Sequence, residues 1–201
     1  ATWALEATLR GTSIAGDELG SSVSLSADGS VALVGARRDD TAAGTDVGTA
    51  RVFVRAGSVW TESAILEATG GAASDNFGTA VAIAGDGTRA FVGGPNDDIG
   101  AITNAGSVRV FARSGTTWAE EAALSRIAPV ASDLFGTSVA ATGDGGRVAI
   151  GVPSDDTRGF AAGSVRVFLR SGTAWGEESV LLDAGGTGSD DLGTSVAITP
   201  D

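Results

Sequence analysis

The chain has 201 residues, 42% of them apolar, and a formal charge of −12, so it can form one or two cored units and is too apolar for general disorder. Cys, His, Lys, Tyr, Met and Gln are absent, and all 13 basic residues are Arg. Disulfides, thiolate metal sites and thiol nucleophiles are thereby excluded, and a general base near neutral pH would have to be a carboxylate in a perturbed setting. The acidic balance opposes phosphate backbones and anionic lipid surfaces, so no nucleic-acid partner is expected. No apolar run approaches the roughly 18 residues of a membrane span, and no basic-then-apolar signal sequence opens the chain.

In chain order, residues 1–18 read as an outer strand from Trp3 to Leu9 followed by a connecting loop. A repeat follows. Trp3, Trp60, Trp118 and Trp175 are separated by 57, 58 and 57 residues, and each precedes a hydrophobic-glycine pair: Leu19-Gly20, Phe77-Gly78, Phe135-Gly136 and Leu192-Gly193. Such a period signals an array in which each unit buries its face on its neighbours. The units run 19–66, 77–124 and 135–182, with the first strand of a further unit at 192–201.

Each unit holds four β-like runs, in the second copy FGTAVAIAG, TRAFVGGP, SVRVFARSG and TWAEEAALS. Val81 and Ile83 alternate with Ala80 and Ala82, while Val108, Val110 and Ala112 alternate with Arg109, Phe111 and Arg113, as in pleated strands. Asp28-Gly29, Asp86-Gly87 and Asp144-Gly145 supply the positive φ angles of tight hairpins, and RAGS or RSGT closes the last two strands. A four-stranded meander of this length cannot bury both faces alone. Radial packing of copies therefore predicts an all-β fold, a β-propeller with one four-stranded antiparallel blade per repeat. Three full blades plus two flanking strands give 14 strands. Because the last residues stop where other copies enter the turn glycine, and the first is Ala rather than Met, a window from a longer array is expected.

The block FGTAVAIAGDG…VGGPNDD, with FGTSVAATGDG…GVPSDD and LGSSVSLSADG…VGARRDD, resembles the FG-GAP repeat of integrin α-subunit propellers and of bacterial surface proteins, across essentially the whole chain. The resemblance implies an extracellular or cell-surface adhesion or ligand-binding propeller. One departure matters. Metal-binding blades of that family carry an Asp-x-Asp-x-Asp-Gly type of loop between the first two strands, whereas these copies have only SADGS, AGDGT and TGDGG. Calcium takes about six to eight oxygens, so Asp28, Asp86 and Asp144 read as turn residues.

In an up-and-down blade, the first–second and third–fourth turns share one end, and the remaining connections share the other. The second end is the variable one, carrying RRDDTAAGTDVG, PNDDIGAITNAG and PSDDTRGFAAG, and variable loops on a repetitive scaffold are where binding is placed. Asp39, Asp40, Asp97, Asp98, Asp155 and Asp156 follow the second strands, and Asp75 and Asp133 precede the first strands. Two readings stay open: these aspartates hold a hard cation such as Ca²⁺, or they cap loops by accepting from backbone N–H groups. A glycosidase pair is disfavoured, because the pairs recur in every blade and neighbours in an extended chain point opposite ways. A specific protein partner is better marked by residues that break the repeat: Arg37 and Arg38, Ile99 and Ile102, Arg158 and Phe160, with Ile127 and Val130.

Trp60, Trp118 and Trp175 each stand seven residues after a Phe of the preceding strand, which reads as framework between blades rather than a sugar-stacking surface. The function expected is non-catalytic adhesion or protein recognition through the variable loop face, with a protein ligand or further copies of the array as partner. The alternatives are a structural building block of a surface layer or filament, and an accessory propeller region of a secreted enzyme.

Overall fold

The computed structural model describes residues 2, 4–12, 16–186 and 188–199. Among them are twelve strands in three four-stranded sheets, and no helix. The first blade is β1 (Leu19–Leu25), β2 (Val31–Ala36), β3 (Thr49–Ala56) and β4 (Val59–Leu66). The second is β5 (Ala80–Ile83), β6 (Arg89–Gly94), β7 (Ser107–Ser114) and β8 (Thr117–Leu124). The third is β9 (Ser138–Ala141), β10 (Arg147–Val152), β11 (Ser164–Ser171) and β12 (Ala174–Leu181). Every sheet is an antiparallel meander in chain order, and β1, β5 and β9 lie side by side.

Strand alternation distributes apolar residues to both faces of a blade. Val31 and Leu33 enter the core between the first two blades, while Ala32 and Val34 face the other side of the first blade. In the second blade, Ala90 and Val92 face the first blade and Phe91 faces the third. Both faces of this central blade are covered, so β5 is buried throughout. Trp118 packs on the first of these cores and Trp175 on the second, the latter edge-on to Phe91 with ring centres 5.6 Å apart. Trp60 packs beside Phe53 on the outer side of the first blade, and Trp3 lies outside the described residues.

Glycines set the spacing between blades. Gly35, Gly93 and Gly151 of the second strands lie under the carbonyls of Gly78, Gly136 and Gly193, where an added Cβ would come within 2.0, 2.1 and 1.9 Å of the oxygen. No side chain fits there. Gly78 and Gly136 themselves adopt φ of 94° and 93°, so the repeat needs glycine on both sides of the contact.

The flanking segments 4–12 and 193–199 lie on the outer blades. Leu9 packs against the Ala32, Val34 and Phe53 cluster, and Val196 and Ile198 line a cleft with Ala149, Val165 and Leu181. Neither segment forms a strand, so the described residues hold twelve strands rather than the expected 14. A strand needs a neighbour in its own sheet to take its N–H and C=O groups, and the described residues contain none for these two. Pro200 and Asp201 lie outside the described residues.

At the variable end, backbone bonds weld each blade to the next. The Ser74, Asn76 and Phe77 amides donate to the Thr45, Asp46 and Val47 carbonyls, and those of Ser132, Leu134 and Phe135 donate to Thr103, Asn104 and Ala105. Those of Ser189, Asp191 and Leu192 repeat the pattern on Phe160, Ala161 and Ala162. The variable rim is therefore a braced surface.

Candidate functional site

Each Asp-Asp pair at the rim divides its two side chains between different tasks. The first one points inward. Asp39 accepts from Thr49 Oγ1 at 2.6 Å and from Arg51 Nη2 at 2.6 Å, and Arg51 Nη1 reaches Glu62 at 3.2 Å. Asp97 does the same with Ser107 at 2.5 Å and Arg109 at 3.0 Å, and Arg109 continues to Glu120 at 3.1 Å. Asp155 accepts from Ser164 at 2.7 Å, from Arg166 at 2.9 Å and from the Thr157 hydroxyl, and Arg166 continues to Glu177 at 3.0 Å. Burial alone would raise the Asp155 carboxyl, but the bonds from Thr157, Ser164 and Arg166 outweigh it and hold the group well below the usual carboxylate range. The Asp–Arg–Glu line ties the second, third and fourth strands of a blade together at the rim.

The second Asp of each pair is exposed and caps its loop. Asp40 Oδ1 accepts from the Asp46 amide at 2.9 Å, Asp98 from Asn104 at 2.8 Å, and Asp156 from Ala161 at 2.7 Å. Asp46, Asn104 and Ala161 all have φ near +50°, a left-handed conformation that L residues adopt only when the surroundings hold it. The hairpin aspartates at the opposite end are spent similarly. Asp28 accepts from Ser26 Oγ and from the amide and hydroxyl of Ser30, which lower its pKa to about 2.

Asp75 and Asp133 lie in the linkers that lead into the second and third blades, and both are buried. Burial raises the Asp75 carboxyl, the Ala72 amide opposes this, and the charges of Asp97 and Asp98 raise it further. Burial likewise raises Asp133, against the pull of Arg126. Arg126 donates to Asp133 at 2.6 Å, lies 3.4 Å from Asp155 and bonds the Thr157 hydroxyl at 3.1 Å. It neutralises two carboxylates that would otherwise repel.

For the cation reading, the test is whether donors converge. Among the described residues, no three acidic side chains are grouped to hold a metal ion. Asp39, Asp97 and Asp155 face arginines, Asp40, Asp98 and Asp156 serve as loop caps, and Asp75 and Asp133 lie at the linkers, so they do not assemble the cage of about six to eight oxygens that Ca²⁺ takes.

The repeat-breaking residues fall into two groups. Arg37 and Arg38 both pair with Glu18, at 2.6 and 3.1 Å, and Ile99 and Ile102 close a small turn through two reciprocal backbone bonds, their side chains half-buried. Ile99 and Ile102 are held within their own turn, whereas Arg37 and Arg38 stay partly exposed and reach Glu18 in the lead-in to the first blade. Arg158 and Phe160 stand out from the third blade, Phe160 being 77% exposed, while Ile127 is 71% exposed in the adjoining linker. The Arg126–Thr157 contact brings these two loops together. Sequence reasoning missed Arg126, whose signal was a lone Arg where the other linkers carry Ala68 and Asp183. It also missed the Arg51, Arg109 and Arg166 series, although Arg recurs at that strand position in every copy.

Stacked four-stranded meanders, joined through paired glycines and braced at one rim, define this chain as a set of β-propeller blades. The FG-GAP repeat matches at residues 13–53, 60–111 and 118–168, and the chain belongs to that family. No curated protein matches the sequence. Among solved structures, the fold is similar to Kuenenia stuttgartiensis hydrazine synthase, with a TM-score of 0.50 at 13% identity over 80% of this chain. A proposed 6-phosphogluconolactonase from Bacteroides uniformis gives 0.53 at 10% identity, also over 80%. The chain spans 36% and 39% of those two proteins, and at such identities the likeness concerns fold alone.

Proposed function

We propose that this chain is a non-catalytic recognition module of an extracellular or cell-surface protein, binding a protein ligand at the rim formed by its third blade and the linker that leads into it. The observation that carries the reading is the exposure of Phe160 and Ile127, two large apolar side chains on loops that hydrogen bonds and Arg126 hold in place. Preorganised apolar anchors with a polar surround are what protein interfaces use. The non-catalytic part is supported by the lack of His, Cys and Lys and by acidic pairs that serve each blade alike. The location is supported by membership of a repeat family typical of extracellular proteins.

The test is capture of surface proteins by the immobilised chain, compared with Phe160→Ser/Ile127→Ser and with Arg37→Ala as a control on another blade. Binding should be lost in the double variant at unchanged melting temperature and kept in the control. Full retention in the double variant refutes the reading.

The building-block alternative has its own support in the outer faces. Leu181 is 53% exposed where its counterparts Leu66 and Leu124 are 3% and 4% exposed, and Val23 and Leu25 are exposed where Val81 and Ile83 are buried. Such faces suit stacking into a larger assembly.

A further inference from the structure

The two seams between blades are not equivalent, and the difference lies in two positions of the repeat. The first is set by a β-bulge in every fourth strand, between the partners of Val52 and Phe53, Val110 and Phe111, and Val167 and Phe168. The bulged residue is Ser63, Glu121 or Glu178. In the second blade, the bulge aims Glu121 at the third blade, beside Ala122, which packs in the core between them. There Glu121 accepts from Arg170 at 2.8 and 3.1 Å and from Trp175 Nε1 at 3.0 Å. In the first blade the same position is Ser63, whose hydroxyl turns back to the Val52 carbonyl at 3.2 Å. Its counterparts across the seam find no acid: Arg113 donates to the Gly115 carbonyl at 2.9 Å and lies over Trp118.

The second position is in the linker. Arg126 joins Asp133 to Asp155 and Thr157 of the third blade, but the first linker has Ala68 there, leaving Asp75 to face Asp97 and Asp98 with only Arg109 as nearby positive charge. Among the described residues, no ion pair crosses the first seam. Both seams share the three backbone bonds of the rim; the further ties of the first seam are the Val81 and Ile83 amides on the Ser22 and Ser24 hydroxyls, the Ser21 hydroxyl on the Gly78 carbonyl, the Ala27 amide on the Gly85 carbonyl, and the Thr69 amide on Glu120. All but the last link the inner strands and their hairpins.

We infer that the first seam is a hinge, closed near the inner strands and free to open at its periphery, while the second seam is clamped at its periphery and its rim by Glu121 and Arg126. Charge-assisted bonds are roughly twice as strong as neutral ones, so the second and third blades move as one body and the first blade swings against them. Ile127 follows Arg126 in the clamped linker and Phe160 lies further along the rim of the third blade, and the hinge stands on its own whatever that rim binds.

Native-state hydrogen exchange reads the difference at matched amides. Phe77 donates to Val47 across the first seam, and Phe135 donates to Ala105 across the second, at 2.9 and 3.0 Å. In the wild-type chain the protection factor of Phe77 should be roughly ten- to a hundredfold below that of Phe135, the factor that one or two missing charge-assisted bonds produce. Ser63→Glu with Ala68→Arg, which copies the clamp onto the first seam, should raise Phe77 protection by about tenfold or more and leave Phe135 unchanged. Glu121→Ser with Arg126→Ala should lower Phe135 toward Phe77. Equal protection of the two amides in the wild type, or no slowing of Phe77 in the first variant, overturns the inference. The first variant adds contacts rather than removing them, so the test holds even where the second fails to fold.

Discussion

The closest approach between blades is backbone to backbone, at the glycines, and it gives a sharp prediction from one added methyl group. Gly93→Ala would place Cβ 2.1 Å from the Gly136 oxygen and 3.1 Å from its carbonyl carbon, so the third blade's lead-in strand must retreat by roughly 1 Å to restore ordinary contact. Overpacking a fitted core costs about 1–3 kcal/mol, and the obstacle here is main chain welded on both sides, which puts the cost at about 3 kcal/mol. For a chain of this size that lowers the melting temperature by about 6–12 °C. Gly94→Ala is the control one residue away. Its Cβ would meet Asp75 O at 3.5 Å and Phe77 Cα at 3.6 Å, both ordinary contacts, and its φ is not left-handed. That substitution should be neutral or stabilise by about 0.4–1 kcal/mol through the unfolded chain. Thermal unfolding followed by circular dichroism compares the three proteins directly. If Gly93→Ala melts with Gly94→Ala, the glycine contact does not set the blade spacing.

Asp155→Asn removes the charge that Arg166 faces and turns one of two accepting oxygens, one serving Ser164 and Arg166 and the other Thr157, into a donor, and should cost about 3–5 kcal/mol in urea denaturation, whereas Asp98→Asn on the exposed cap should cost under about 1 kcal/mol. Because the Asp155 pKa is depressed in the folded state, its contribution is present above the unfolded-state carboxyl pKa and is lost as pH falls through the folded value, so the Asn variant and wild type should converge in acid. Asp75 has the opposite sign: its folded pKa is raised, so its charge opposes folding at neutral pH, and that penalty starts to fall as pH drops through the folded value and is gone below the unfolded-state carboxyl pKa. Asp75→Asn should therefore raise the melting temperature at pH 7, and the gain should shrink toward zero in acid; a constant gain across pH would contradict the charge argument. Trp175→Phe keeps an aromatic ring beside Phe91 but loses the bond to Glu121, at about 1.5–3 kcal/mol, while Trp118→Phe, opposite Ser63, should cost less.

How far the sequence discloses this molecule depends on whether a feature is written within one repeat or between two. The strands, the Asp-Gly hairpins and the period are local, and Val108, Val110 and Arg109 announce their alternation without help from the fold. The Asp97-Asp98 pair is half legible: recurrence in every blade argues against catalysis, and alternation separates the two side chains, yet only the fold shows that Asp97 turns toward Arg109 while Asp98 caps Asn104. Contacts between repeats leave a fainter trace. Gly93 looks like any strand glycine until the Gly136 carbonyl is placed above it, and Glu121 looks like a second solvated acid beside Glu120 until the bulge turns it toward Arg170 and Trp175. What marks these positions in the sequence is a difference among copies: Ser63 where the next two repeats have Glu, Ala68 where the next has Arg. Repetition of a residue here points to the blade itself, and its failure to repeat points to a particular seam, which is why the departures in this array carry more information about motion and recognition than the motif does.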